Sequence, residues 1–164
     1  GMRVLLTTPQ PVQAREGLRQ VPLPTLLAQS HFVVCLAASN ASTYRMFDAA
    51  AFAAMQPGTF FVNASRGQLV DETALLTALN AGHLGGCALD VGCTPDQMPS
   101  LELARHPLVI ATPHIGGLTP QAIEHQALET VSQLTALMRG EMPAGAVNAP
   151  HANRLRGRPA ARLA

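Results

Sequence analysis

"FFVNASRGQLVDETAL" (residues 60–75) opens as an apolar, β-rich run and closes as a helix. Between the two stands Arg66, flanked by Ser65 and Gly67. A permanently charged guanidinium at the point where a strand turns into a helix needs partners, and the rest of the chain has to supply them. On the helical side, Asp71 reads as the N-cap of a helix over 71–82. Leu75, Leu76 and Leu79 lie on one face of it and Gly82 just past its end.

The same strand–turn–helix pattern recurs in both directions. "RVLLTT" (3–8), "HFVVCLA" (31–37), "TFFVNA" (59–64), "GGCALDV" (85–91) and "PLVIATP" (107–113) read as strands. "FDAAAFAAM" (47–55) reads as a helix capped by Asp48 and stopped by Pro57-Gly58. "TPQAIEHQALETVSQLTALMRG" (119–140) is the longest helix, with Thr119 as cap and Pro120 at its first position. Ile123, Ala127, Val131, Leu134 and Met138 recur every three or four places along it, which predicts one buried stripe. Strands that are apolar almost throughout, separated by helices, predict a doubly wound α/β fold: a parallel sheet with helices on both faces. In such folds ligands sit outside the carboxyl ends of the strands.

A chain of 164 residues fits one domain with a sizeable core. With 48% hydrophobic and 13% charged residues the composition is that of a globular protein. A net charge of +1 gives no electrostatic footprint for nucleic acid or an anionic membrane. No apolar run approaches the ~20 residues of a membrane span, and "GMRVLLTTPQP" lacks the pattern of a signal peptide. Three Cys (35, 87 and 93) without CxxC spacing suggest reduced thiols, with Cys35 and Cys87 in the core. The expectation is a cytoplasmic protein. The last stretch, 149–164, carries four Arg with little periodicity and is expected to be a mobile tail beyond a domain over 1–148.

Arg66 follows the strand 59–64, Asp90 ends the strand 85–91, and His114 follows the strand 107–113. All three fall on the edge where ligands bind. Each alone also reads blandly, as a solvated charge, a turn cap and a turn residue. Together they suit one chemistry. An Arg fork fixes a carboxylate in a bidentate way, and a His moves a proton to or from a carbonyl or hydroxyl oxygen. A nearby carboxylate orients that imidazole. A 2-hydroxy or 2-oxo acid needs these functions side by side. Hydride transfer would further need a nicotinamide, since no side chain accepts hydride. The six His residues lack HxxxH spacing, so no metal site is expected, and no GxSxG supports a serine hydrolase.

"MQPGTFFVNASRG", "GGCALDV" and "ATPHIGG", in this order and spacing, resemble the three signature blocks of the D-isomer-specific 2-hydroxyacid dehydrogenases. The resemblance runs from about Met2 to Asn148 and implies an incomplete doubly wound, Rossmann-like sheet that uses NAD or NADP. It implies that Arg66 holds the substrate carboxylate and carbonyl, that His114 is the acid/base, and that Asp90 contacts the nicotinamide side of the cofactor. The backbones around Ala38, Ala64 and Gly116 would also line the cofactor.

Three departures accompany it. The family's third catalytic member is a Glu shortly after the "LDV" strand; here "DVGCTPDQMPS" holds Asp96 as the nearest carboxylate, displaced by one residue, with Glu102 as a more distant alternative. The acid that meets the adenosine ribose at the end of a strand such as "MRVLLTTP" is replaced by Thr8. Its loss removes repulsion against a 2′-phosphate, so NADP stays open, with Arg3 and Arg15 as weak candidates to meet it. The glycine-rich GxGxxG turn is absent, together with its strand and the substrate domain. That strand lies between the second and fourth in the doubly wound order. "RVLLTT" is therefore expected not to pair with "HFVVCLA". Residues 1–25 would then pack differently from the family, or a second copy or a missing N-terminal half would complete the edge. The substrate expected is a small 2-hydroxy or 2-oxo acid. The alternative is a truncated, non-catalytic α/β domain that binds or dimerises.

Overall fold

The computed structural model describes residues 1–13, 15–146 and 149–151. The expected tail therefore lies, from residue 152 on, outside the described residues. Two compact units divide the chain, Gly1–Gly116 and Gly117–Ala164.

In the first unit β1 (Val4–Leu6), β2 (Leu18–Gln20), α1 (Leu23–Gln29), β3 (Phe32–Cys35), α2 (Ala49–Ala53), β4 (Thr59–Asn63), α3 (Glu72–Asn80), β5 (Leu84–Leu89), α4 (Leu101–Ala104) and β6 (Val109–Ala111) follow one another. Strands β3-β4-β5-β6 form one parallel sheet in sequence order. This is the expected α/β class. β1 pairs in parallel with β2 alone, in a separate two-stranded sheet, and shares no pairing with β3. Strand β2 and helices α1 and α4 are additions to the elements read from the sequence.

The helix caps act as their residue types dictate. Asp48 accepts from Ala51 N at 2.9 Å, and Asp71 accepts from Thr73 N and Ala74 N at 3.1 Å each. Each satisfies amide donors that the first helical turn leaves free. At the other end of α2, His83 Nε2 lies 3.1 Å from the carbonyls of both Phe52 and Met55. That local role accounts for one of the six histidines.

Register decides which side of the sheet is buried. Val33, Phe61 and Cys87 are cross-strand partners, as are Cys35, Asn63 and Leu89. All point into the core, where they meet Phe52 and Met55 of α2, Leu75 and Leu79 of α3, and Leu103 of α4. Residues one step along face the other way. There Phe32 stacks on Phe60 with ring centroids 5.4 Å apart, and Phe32, Val34, Phe60 and Ile110 are exposed, Ile110 by 71%.

The second unit contains α5 (Pro120–Met138), capped by Thr119 as expected. The predicted buried stripe is not buried. No residue of α5 is, and Val131 is 61% exposed. Periodicity reports that a helix has an apolar face; it does not report what covers that face. Among the described residues no helix is long and apolar enough to cross a membrane.

Candidate functional site

Asp90 follows β5 directly, and Arg66 and His114 stand three residues past the ends of β4 and β6, so all three lie beyond the carboxyl ends of three adjacent parallel strands. Their backbones step across the sheet at ~4.8 Å per strand, so the loops bearing Arg66 and His114 are about 10 Å apart. Loops at that separation leave room between them for a small acid.

Arg66 is exposed and precedes a 3-10 turn over Gly67–Leu69. One of its guanidinium nitrogens donates to its neighbour's carbonyl, Ser65 O, at 2.7 Å. It lines a cleft of about 530 Å³ with Ser39, Asn40, Ala41, Tyr44, Gln68 and Gln97. Asn40 and Thr43 tie the β3 loop together, the Thr43 hydroxyl donating to Ala38 O at 2.7 Å. The Ser65 hydroxyl donates to Ala37 O, which fastens the Arg66 turn to that loop. A larger hollow lies between α2 and α3 on the helical layer.

The Arg66 turn and the loop after β5 meet backbone against backbone. A Cβ on Gly67 would fall 2.1 Å from Gly92 C and O and 2.7 Å from Cys93 N. Glu72, in the first turn of α3, accepts from Cys93 N at 2.9 Å and holds the same loop.

Asp90 is the organising carboxylate. Its Oδ1 accepts from the Thr112 hydroxyl at 2.6 Å and from Ile115 N at 2.9 Å, and its Oδ2 accepts from Gly116 N at 2.9 Å. Partial burial pushes the carboxyl up, but Thr112, the Gly116 and Ile115 amides and the positive charge of nearby His114 outweigh it and hold it below its ordinary value. His114 itself has a left-handed backbone, φ 55°, inside the turn that Asp90 grips.

Asp96, expected beside His114, is turned elsewhere. Its carboxylate accepts from the Thr94 hydroxyl and from Met98 N, inside its own exposed loop, and makes no hydrogen bond to His114. The expected Asp96–His114 pair is thus not formed, because a short side chain two residues from both donors closes a local turn more readily than it reaches across the edge. Glu102 sits exposed on α4. Of the remaining expected positions, Ala38, Ala64 and Gly116 are small and exposed at the strand-end edge, and half-buried Thr8 follows β1, its carbonyl accepting from Gln20 Nε2 at 3.0 Å. Small residues there leave the backbone open at the strand ends, with room for a flat ring against it. Among the described residues no group of three or more His, Cys, Asp or Glu could hold a metal.

Asn63 was not singled out from the sequence. It is 1% exposed; its Nδ2 donates to Arg66 O at 3.0 Å and its Oδ1 accepts from Ser65 N at 3.1 Å. The available signal was an amide at an inward-facing place at the end of the apolar run Phe60–Val62.

The parallel sheet and its helices are those of a Rossmann-like α/β domain, and an Arg, an Asp and a His stand at three consecutive strand ends. The sequence model described as "D-isomer specific 2-hydroxyacid dehydrogenase, NAD binding domain" matches residues 1–116, and the chain belongs to that family. It is 34% identical over 153 residues to D-3-phosphoglycerate dehydrogenase 3, chloroplastic, of Arabidopsis thaliana, covering 92% of this chain and 26% of that protein. The holo form of Rhodotorula graminis D-mandelate dehydrogenase superposes with a TM-score of 0.79 at 30% identity, over 88% of this chain and 44% of the other. A D-isomer specific 2-hydroxyacid dehydrogenase from Xanthobacter autotrophicus in complex with NADPH and MES gives 0.69 at 30% identity, over 87% and 59%. The chain thus spans about a quarter of the plant enzyme. The cofactors of the family are NAD and NADP.

Proposed function

We propose that residues 1–148 form the nicotinamide side of an NAD(P)-dependent dehydrogenase that interconverts a small 2-hydroxy acid and its 2-oxo acid. The observation that carries this reading is the placement of Arg66 and His114 on either side of Asp90 at three consecutive strand ends. In the reducing direction the Arg66 guanidinium holds the carboxylate of the 2-oxo acid and fixes the face of its carbonyl. The His114 imidazole donates a proton to the carbonyl oxygen as that oxygen gains charge, and recovers it from the hydroxyl in the reverse direction. A reduced nicotinamide held at this edge would supply the hydride to the carbonyl carbon. Asp90 keeps the His114 turn in place, and one lone pair of its Oδ2 is free for a carboxamide. Ala38, Ala64 and Gly116 offer backbone to the ring. Thr8, in place of an acid, tolerates a 2′-phosphate.

Calorimetric titration with NADH and with NADPH, followed by turnover of a panel of 2-oxo acids, tests the reading. Binding of either cofactor and turnover lost on Arg66→Ala or His114→Ala are expected. No binding at millimolar cofactor overturns it. A second reading, a non-catalytic domain that binds or dimerises, draws support from the exposed apolar sheet face and from Asp96 being committed away from His114. A homodimer or an N-terminal half completing the edge belongs to both readings and is tested by solution mass.

A further inference from the structure

We infer that Asn63 and Asp90 act as positioning residues, joined in one hydrogen-bonded brace that sets Arg66 and His114 relative to each other. The inference rests on the dehydrogenase reading for its catalytic meaning, but the brace itself is a matter of geometry. From Arg66 inward, the Arg66 carbonyl accepts from Asn63 Nδ2, and Asn63 Oδ1 takes the Ser65 amide. From Asn63 sideways, its main-chain carbonyl accepts from Asp90 N at 3.1 Å. From Asp90 outward, three hydrogen bonds reach Thr112, Ile115 and Gly116 around His114. Each end of the candidate site is thus gripped by a side chain, and one main-chain hydrogen bond, from Asp90 N to Asn63 O, joins the two grips.

Two features show that the brace holds something that would otherwise relax. His114 occupies a left-handed conformation, φ 55°, which is strained for a non-glycine residue and persists only where surroundings impose it. Asn63 places a side-chain amide at 1% exposure, and both of its polar ends are spent on the Arg66 turn and not on the sheet. A buried amide that merely filled the core would be replaceable by Leu at little cost. Here the amide is what closes the turn.

The two positions divide the labour. Asn63 governs where the carboxylate anchor stands, and Asp90 governs where the proton donor stands. Asn63→Asp keeps the shape and the acceptor for Ser65 N but opposes the Arg66 carbonyl. Asp90→Asn keeps the shape but turns an NH2 toward backbone amides or the Thr112 hydroxyl. Asn63→Asp is expected to raise KM for a 2-oxo acid about tenfold or more with kcat little changed. Asp90→Asn is expected to lower kcat about 10–100-fold with KM within twofold, the size that small misplacements of a reacting group produce. Thr112→Val, which removes one of the three Asp90 bonds, is expected to act like Asp90→Asn at lower amplitude and serves if that variant folds poorly.

The decisive readout needs no turnover. In 1H–15N spectra of the chain without ligand, the Ile115 and Gly116 amides are expected to shift together as acid protonates Asp90, and Asp90→Asn to abolish that step and broaden the His114 ring signals. Amides that ignore acid titration, or His114 signals unchanged in Asp90→Asn, overturn the brace. If the spectra behave as expected while the parent chain turns over no 2-oxo acid, the brace stands and the dehydrogenase reading fails. If both variants lower melting temperature without splitting KM from kcat, the residues are merely structural and the inference is overturned.

Discussion

Gly67→Ala is the substitution whose effect the structure determines most sharply. One methyl group would be placed 2.1 Å from Gly92 C and O and 2.7 Å from Cys93 N, against contacts that ordinarily begin near 3.4 Å. Relief requires about 1 Å of movement, and no flexible side chain is available to make it. Both partners are backbone, the far one fastened by the Glu72 bond to Cys93 N and by Gly92 N donating to Gln97 O at 2.9 Å. Overpacking costs about 1–3 kcal/mol where side chains can yield, so the upper end, ~3 kcal/mol, applies here. For a chain of this size that lowers the melting temperature by about 6–12 °C. Urea denaturation followed by circular dichroism measures the free energy directly. Gly58→Ala is the control, because a Cβ there meets nothing within 4 Å and only the left-handed φ of 82° opposes it, at about 1 kcal/mol. A loss below 0.5 kcal/mol on Gly67→Ala, or one no larger than the Gly58→Ala loss (about 1 kcal/mol), would mean that the two loops do not pack as described.

Asp71→Ala removes the double cap of α3 and the exposed ion pair with Arg45 at 3.5 Å; a loss of about 1–2 kcal/mol is expected, nearly all from the cap, and Arg45→Ala should cost far less in the same denaturation assay. Iodoacetamide at pH 8 should label the native chain at Cys93 alone by mass spectrometry, because Cys93 is exposed while Cys35 and Cys87 are buried, even though partial burial and the Glu72 charge raise the Cys93 thiol too, as burial raises Cys35 and pushes Cys87 up to about 12; labelling of all three before unfolding would contradict the packing. The depressed Asp90 carboxyl contributes stability that is present above its ordinary value of 3.8 and is lost as pH falls through its lower folded value. Asp90→Asn should therefore be less stable than the parent at pH 7 and approach it in strong acid; parallel stability–pH curves would refute the linkage.

What was legible in the sequence was local. Asp48, Asp71 and Thr119 cap the helices expected, because the signal and the structure involve the same few residues. The strand cores were legible for the same reason, and with them the edge that gathers Arg66, Asp90 and His114. Strand β2, "LRQ", was not, because its polar residues become a strand only through pairing with β1. Helix α1 begins at Pro22-Leu23-Pro24, which reads as a break, and α4 is a single turn. Asp96 shows the limit of spacing arguments. A carboxylate one place from the expected position still had Thr94 and Met98 within reach and was captured by them. Asn63 escaped because its importance lies in two partners on loops, neither of which alternation in a strand can name.

The bonds that define the site span long stretches of chain. Asp90 reaches Ile115 and Gly116 across 25 and 26 residues, and Ser65 reaches Ala37 across 28. None of them can form until whole strand–helix–strand crossovers have docked, and such non-local closures come late and slowly in folding. A partly folded or nicked chain could keep its local helices, capped by Asp48 and Asp71, and still hold none of the geometry around His114. Burst-phase helicity followed by a slower, single appearance of Gly116 amide protection in pulsed hydrogen exchange would be the kinetic trace of that order.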